Sequence, residues 1–141
     1  MTALYTTSAT AHGGRDGRVA TADGQLDVRV TPPKELGGPG GATNPEQLFA
    51  AGFAACFHSA LTLVARRAKV DVAGSTVTAQ VSLTRAGLGY QLGVHLVVDL
   101  PGVPEEVARE LVAKADTVCP YSNATRGNIP VTHELTASVT S

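Results

Sequence analysis

Two cysteines, Cys56 and Cys119, carry the most reactive side chains in this 141-residue sequence. They stand too far apart for a local zinc or dithiol motif, so spacing alone leaves three readings open: inert buried thiols, a redox pair, or part of a metal site. Free cysteine is commonly buried as a small apolar residue, which makes inert packing the plainest of the three. Histidine adds little to the metal reading. His58 lies about 200° around a helix from Cys56, and His12, His95 and His133 fall on expected strands without recognisable ligand spacing. A redox role has its own requirement, because a thiol attacks only as thiolate and apolar burial raises its pKa. Cys56 therefore needs a cation. Arg15 is the strongest candidate, since GGRDG sets glycines on both sides of Arg15 and Asp16 and can project a side chain from a tight turn. A solvated turn is the plainer reading of that stretch, and an ordinary first-turn acid is the plainer reading of Glu46.

The element that must position Cys56 is TNPEQLFAAGFAACFHSALTLVARRAK, Thr43 to Lys69. Thr43 or Asn44 can cap a helix, Pro45 suits its first turn, Glu46 complements the positive end of the dipole, and Arg66, Arg67 and Lys69 complement the negative end. Between those ends Leu48, Phe49, Phe53, Phe57, Leu61, Leu63 and Val64, with many alanines, leave no polar stripe. A helix that is apolar all round is expected to be buried. One small sheet covers one side of it, and a homodimer would cover the other through an apolar interface. The uncharged run from Leu48 to Ala65 brushes the lower length limit of a membrane span, but Gly52, His58, Ser59 and Thr62 argue for a core helix.

The rest of the chain reads as α+β: antiparallel strands around a buried central helix, with a second, amphipathic helix, in one domain spanning residues 1–141. LYTTSATAH (residues 4–12), Arg18 to Thr21 and Gln25 to Val30 are expected strands in a meander. Three prolines and four glycines between Thr31 and Ala42 block helix and strand alike, giving a flexible connection. Ser75 to Arg85 and Tyr90 to Leu100 are expected to be paired antiparallel strands. Pro104-Glu105-Glu106 opens a helix whose Val107, Ala108, Leu111, Val112, Ala115 and Val118 form one stripe. CPYSNATRGN is dense in turn formers, and His133 to Val139 reads as a closing strand. Eleven basic residues against twelve acidic, a net charge of -1, give no footprint for nucleic acid or an anionic membrane. The opening MTALYTTSAT lacks a basic segment followed by an apolar run, so a cytoplasmic, thiol-reducing setting is expected.

GGRDG, TNPEQLFAAGFAACF and VCPYSNATRGNI, in that order, closely resemble the three signature stretches of the organic hydroperoxide resistance proteins, the Ohr branch of the Ohr/OsmC family. The similarity runs over nearly the whole chain. It implies a thiol peroxidase in which Cys56 is the peroxidatic cysteine, Cys119 resolves it, Arg15 activates the thiolate and Glu46 holds the arginine. It also implies an intertwined homodimer with sheets wrapped around central helices. The implied substrates are alkyl and lipid hydroperoxides, with Phe49, Phe53 and Phe57 offering apolar surface for their tails. No metal or bound cofactor is implied; the reductant would be an external dithiol, a dihydrolipoyl group or a lipoylated protein. The short loop from Ala86 to Gly89, Phe53 where tyrosine is common, and Pro130 depart from the family pattern without touching the four matched positions.

Two alternatives stay open: the OsmC branch with another substrate range, and a non-catalytic module holding a fatty acyl ligand. The peroxiredoxins are not supported, because Gly-Phe-Ala-Ala precedes Cys56 in place of their Pro and Thr arrangement. Helix geometry adds a constraint. Glu46 precedes Cys56 by ten positions, about 15 Å of rise and roughly 80° of rotation. One arginine cannot contact both on a straight helix, so either the helix breaks near Gly52 or one site draws its residues from two chains.

Overall fold

The GGRDG segment makes the tight reversal expected of it. In the computed structural model, which describes residues 2–136, it joins β1 (Ala9–His12) to β2 (Gly17–Thr21). Gly13 and Gly14 adopt positive φ, and the Asp16 amide closes the turn on the Gly13 carbonyl at 3.0 Å. Gly17 is required for another reason: a Cβ there would lie 1.9 Å from the His12 carbonyl oxygen. Arg15 is thereby carried on the turn itself. β3 (Asp27–Val30) completes an antiparallel sheet of order β1-β2-β3, the expected meander. β1 is shorter than the alternation in LYTTSATAH suggests and is exposed along its length, as are Leu4 and Tyr5 before it.

These strands belong to the first of two compact units, which ends at Leu48. The proline- and glycine-rich stretch in that unit is less irregular than its composition implies, since Lys34–Leu36 forms a single 3-10 turn that ends at Gly37 in the left-handed region. Pro33 precedes this turn, where a missing amide does no harm. The stretch is also tethered: the Thr31 amide donates to the Thr43 carbonyl at 2.9 Å and the Thr31 hydroxyl to the Gly40 carbonyl at 3.0 Å. Asn44 is the residue that caps α1 (Pro45–Arg67), its side-chain oxygen accepting the Gln47 amide at 2.9 Å.

α1 is continuous from Pro45 to Arg67, so the break considered at Gly52 does not occur. A single glycine costs a helix about 1 kcal/mol relative to alanine, too little to interrupt a run rich in alanine and leucine. One face of α1, formed by Phe53, Phe57, Ala60, Leu61 and Val64, is buried. Ala51, Ala55 and Ser59 repeat every fourth residue on another face and are exposed. Apolar composition on all sides is thus matched by coverage on one side within a single chain. By length and composition α1 would also pass for a membrane span, but its phenylalanine face packs into a protein core.

The second unit begins at Phe49. β4 (Thr76–Ala86) and β5 (Gly89–Asp99) form the long antiparallel pair expected. β6 (Val131–Leu135) runs parallel to β5, with Val94 opposite Val131, so the sheet is mixed and not antiparallel throughout. The intervening chain explains the direction. It passes through α2 (Glu105–Val118) and α3 (Pro120–Thr125) before β6, and a parallel return needs a connection of that length. The expected closing strand reached Val139; the observed one ends at Leu135, and residues 137–139 lie outside those described. Val94, Leu96, Val98 and Leu100 alternate inward from β5 and its end onto Phe53, Phe57 and Leu61 of α1 and Leu111 and Ala115 of α2.

Candidate active site

Cys119 stands where two helices meet. Its amide donates to the Ala115 carbonyl at 2.9 Å, ending α2, and its carbonyl accepts the Asn123 amide at 3.0 Å, beginning α3. The turn-forming composition of CPYSNATRGN hid this short helix; Pro120 at its first position was the available signal. The junction sets the fully buried Cys119 Sγ 3.6 Å from Cys56 Sγ on α1, and both thiols are free. A disulfide needs about 2.0 Å, so closing the pair requires a shift of little more than a bond length.

Burial pushes the Cys56 thiol above its ordinary pKa. The Tyr121 backbone amide, hydrogen-bonded to the sulfur, pulls it down, and the adjacent Cys119 adds to the rise. Within its own unit Cys56 is therefore held as thiol at neutral pH, and a positive charge is what would convert it.

Tyr121 also supplies a side chain that sequence reasoning missed. Its ring lies 5.5 Å from Phe53 and 6.1 Å from Phe49, which itself meets Phe53 edge-on at 6.0 Å. Gly52 makes room for it: a Cβ there would sit 2.7 Å from the Tyr121 hydroxyl. That role depends on a residue distant in sequence, so Gly52 read alone suggested a helix break. Phe57 is fully buried, with its ring 5.5 Å from that of His133.

Arg15 and Glu46 are brought together in the first unit. The guanidinium meets the carboxylate with both prongs, Nη1 to Oε1 at 2.7 Å and Nη2 to Oε2 at 2.8 Å. This hydrogen bonding holds the Glu46 carboxyl below its ordinary range, against a smaller opposing effect of burial. A carboxyl depressed in the folded state stabilises the fold above its unfolded pKa, and that stability is lost as pH falls through the folded value. Because Arg15 is 45% exposed, the pair is worth about 0.5–1 kcal/mol. Glu46→Gln should show that deficit in urea unfolding at pH 7 and converge on the parent protein as the medium is acidified below the carboxylate range. A deficit unchanged in acid would mean that the ion pair is not its source. Among the described residues no group of three or more His, Cys, Asp or Glu could hold a metal ion.

An α+β chain with a long apolar helix, a mixed sheet and two free thiols in van der Waals contact defines a narrow structural class. The chain belongs to the Ohr/OsmC family: residues 38–134 match the family model described as OsmC-like protein. Glu46, Cys56 and Cys119 fall within the matched residues and Arg15 precedes them. The chain is 51% identical over 139 residues to the organic hydroperoxide resistance protein OhrA of Bacillus subtilis, covering 94% of this chain and 96% of that one. It is 49% identical over 134 residues to the organic hydroperoxide resistance protein of Xanthomonas axonopodis pv. citri, covering 94% of each. The crystal structure of an organic hydroperoxide resistance protein from Legionella pneumophila superposes with a TM-score of 0.92 at 52% identity, covering 96% of this chain and 100% of that one.

Proposed function

We propose that the protein is a thiol-dependent peroxidase that reduces organic hydroperoxides to alcohols. The observation that carries this reading is the pair of free sulfurs at 3.6 Å, one buried and one partly open, beside an aromatic cluster. The Cys56 thiolate attacks one oxygen of ROOH; an S–O bond forms, the O–O bond breaks, and the departing alkoxide takes a proton to become ROH. Cys56 is left as sulfenic acid. The Cys119 sulfur then attacks that sulfur, expelling water and forming the Cys56–Cys119 disulfide. A dithiol reductant restores both thiols by exchange through a mixed disulfide. Dihydrolipoyl groups, free or on a lipoylated protein, are the reductant proposed, and no bound cofactor enters the cycle. A cytoplasmic, reducing setting suits thiols that must be free between turnovers.

Arg15 favours the thiolate and the oxyanion developing on the leaving oxygen, and Glu46 fixes its planar fork. Along continuous α1, Glu46 and Cys56 are separated by about 15 Å. The guanidinium acting on each Cys56 is therefore assigned to a partner chain, in a homodimer with shared sites. The exposed alanine face of α1 and the exposed β1, Leu4 and Tyr5 support such a dimer, as apolar or sheet surface that association would cover. Phe49, Phe53 and Phe57 supply apolar surface for the hydroperoxide tail, with Tyr121 closing the cluster against Phe49 and Phe53. The test is consumption of cumene hydroperoxide by purified protein with dihydrolipoamide as donor. Turnover faster than with hydrogen peroxide is expected, and absence of turnover with any organic hydroperoxide would leave only a binding role.

A further inference from the structure

We propose that Arg126 is the positioning residue that holds Cys119 where it can close on Cys56; this rests on the peroxidase reading above. The reason lies at the C-terminal end of α2. A helix leaves its last carbonyls without intrahelical partners, and α2 has no basic residue in its last turn to meet them. The partners come from the segment that carries Cys119. The Cys119 amide takes the Ala115 carbonyl. Arg126 reaches back ten positions, its Nη2 donating to the Asp116 carbonyl at 2.6 Å and to Asp116 Oδ2 at 3.2 Å. Its Nη1 donates to Asn123 Oδ1 at 2.7 Å, and Asn123 Nδ2 donates to the Thr117 carbonyl at 3.2 Å. Three successive carbonyls, those of Ala115, Asp116 and Thr117, are thus tied to the stretch from Cys119 to Arg126, and Cys119 sits at the corner of the loop so closed.

Two further contacts show what the clamp is set against. Asp116 Oδ1 lies 3.4 Å from His133 Nε2 on β6, whose ring lies against Phe57, the neighbour of Cys56. Beside α3 lies a small pocket. Ser122 is 2% exposed, and its hydroxyl has no hydrogen-bond partner among the described residues. It lines a cavity of about 150 Å³ shared with Asp116, Thr125 and Arg126. The guanidinium fork spans the end of α2 and the C-terminal end of α3 and so fixes the pitch of one against the other. As a half-exposed ion pair Arg126–Asp116 contributes little stability. Its value is geometric, because a misplacement of about 1 Å can cost on the order of 100-fold in rate. The fork's two fixed directions are also beyond a lysine.

The clamp bears on the second chemical step more than on the first, because Cys119 is itself part of the clamped segment whereas Cys56 meets that segment through the Tyr121 amide. Arg126→Ala, as full-length reduced protein, is mixed with one equivalent of cumene hydroperoxide, and its products are followed by intact mass with dimedone trapping. Hydroperoxide loss slowed by no more than about threefold is expected, with sulfenic-acid-to-disulfide conversion slowed at least about tenfold. Under excess hydroperoxide the variant should gain a second oxygen as sulfinic acid, which the parent escapes by resolving faster. Arg126→Gln, which retains bulk and one amide donor, carries the same measurement if the alanine variant does not fold. Disulfide formation at the parent rate in a folded variant overturns the proposal, and so does equal slowing of both steps. Failure of the parent protein itself to form sulfenic acid would instead remove the peroxidase reading.

Discussion

Cys56→Ser is expected to leave a folded protein that consumes no organic hydroperoxide. The attacking group must be a polarizable anion that can accept an oxygen atom and later lose it to a second thiol; a serine hydroxyl ionises far above neutral pH and has no such oxidation states. The loss should be at least about a thousandfold in steady-state rate, as for other enzymes deprived of their nucleophile. Stability should change little, because position 56 is partly exposed and the replacement is nearly isosteric. Cumene hydroperoxide consumption with dihydrolipoamide, measured beside circular dichroism of the same sample, separates the two effects. Full turnover in a folded Cys56→Ser protein would sink the peroxidase assignment, leaving the thiols as packing.

Cys119→Ser is expected to react once and stop. Cys56 remains, so one equivalent of hydroperoxide is consumed and Cys56 is carried to sulfenic acid; with no sulfur 3.6 Å away, nothing displaces the hydroxyl. The protein should stall there in the absence of small thiols and pass to sulfinic acid under excess hydroperoxide. The fold should tolerate the change unusually well for a fully buried position. Cys119 occupies the N-cap of α3 and makes no side-chain capping hydrogen bond, and serine is among the preferred residues at such a position. Rapid-quench trapping of sulfenic acid reads the outcome, and normal cycling in this variant would take the resolving role from Cys119.

Where a residue's task depends on its immediate neighbours, the chain could be read directly. The Gly13-Gly14 turn that carries Arg15, the long β4–β5 hairpin, the cap and charged ends of α1, and the apolar stripe of α2 are all of this kind. What escaped depends on distant partners. Nothing in GNIPVTHEL says that β6 pairs parallel to β5, because strand direction is set by the path through α2 and α3 and not by alternation. Gly52 suggested a break, since the Tyr121 hydroxyl that occupies its missing Cβ comes from another element. Arg126 lay in a stretch legible only as dense in turn formers, because the carbonyls it meets belong to the end of a helix ten positions earlier. The site was legible in the same uneven way. Motif resemblance named Arg15, Glu46, Cys56 and Cys119, while Tyr121, inside the same motif, acquires its meaning only from its backbone amide and from the rings it faces.

The two cysteines are 63 positions apart in the chain yet nearly touch. Joining them makes a polymer with a closed loop of that length, and such a cross-link removes unfolded-state entropy equivalent to about 4 kcal/mol. Reduction gives that freedom back. Under the proposed cycle, the protein starved of dithiol is then the form that resists heat and proteases, and the protein well supplied with it is the softer one. Its lifetime would carry a record of the balance between oxidant and reductant, written in the mechanical state of the backbone instead of the rate of any reaction.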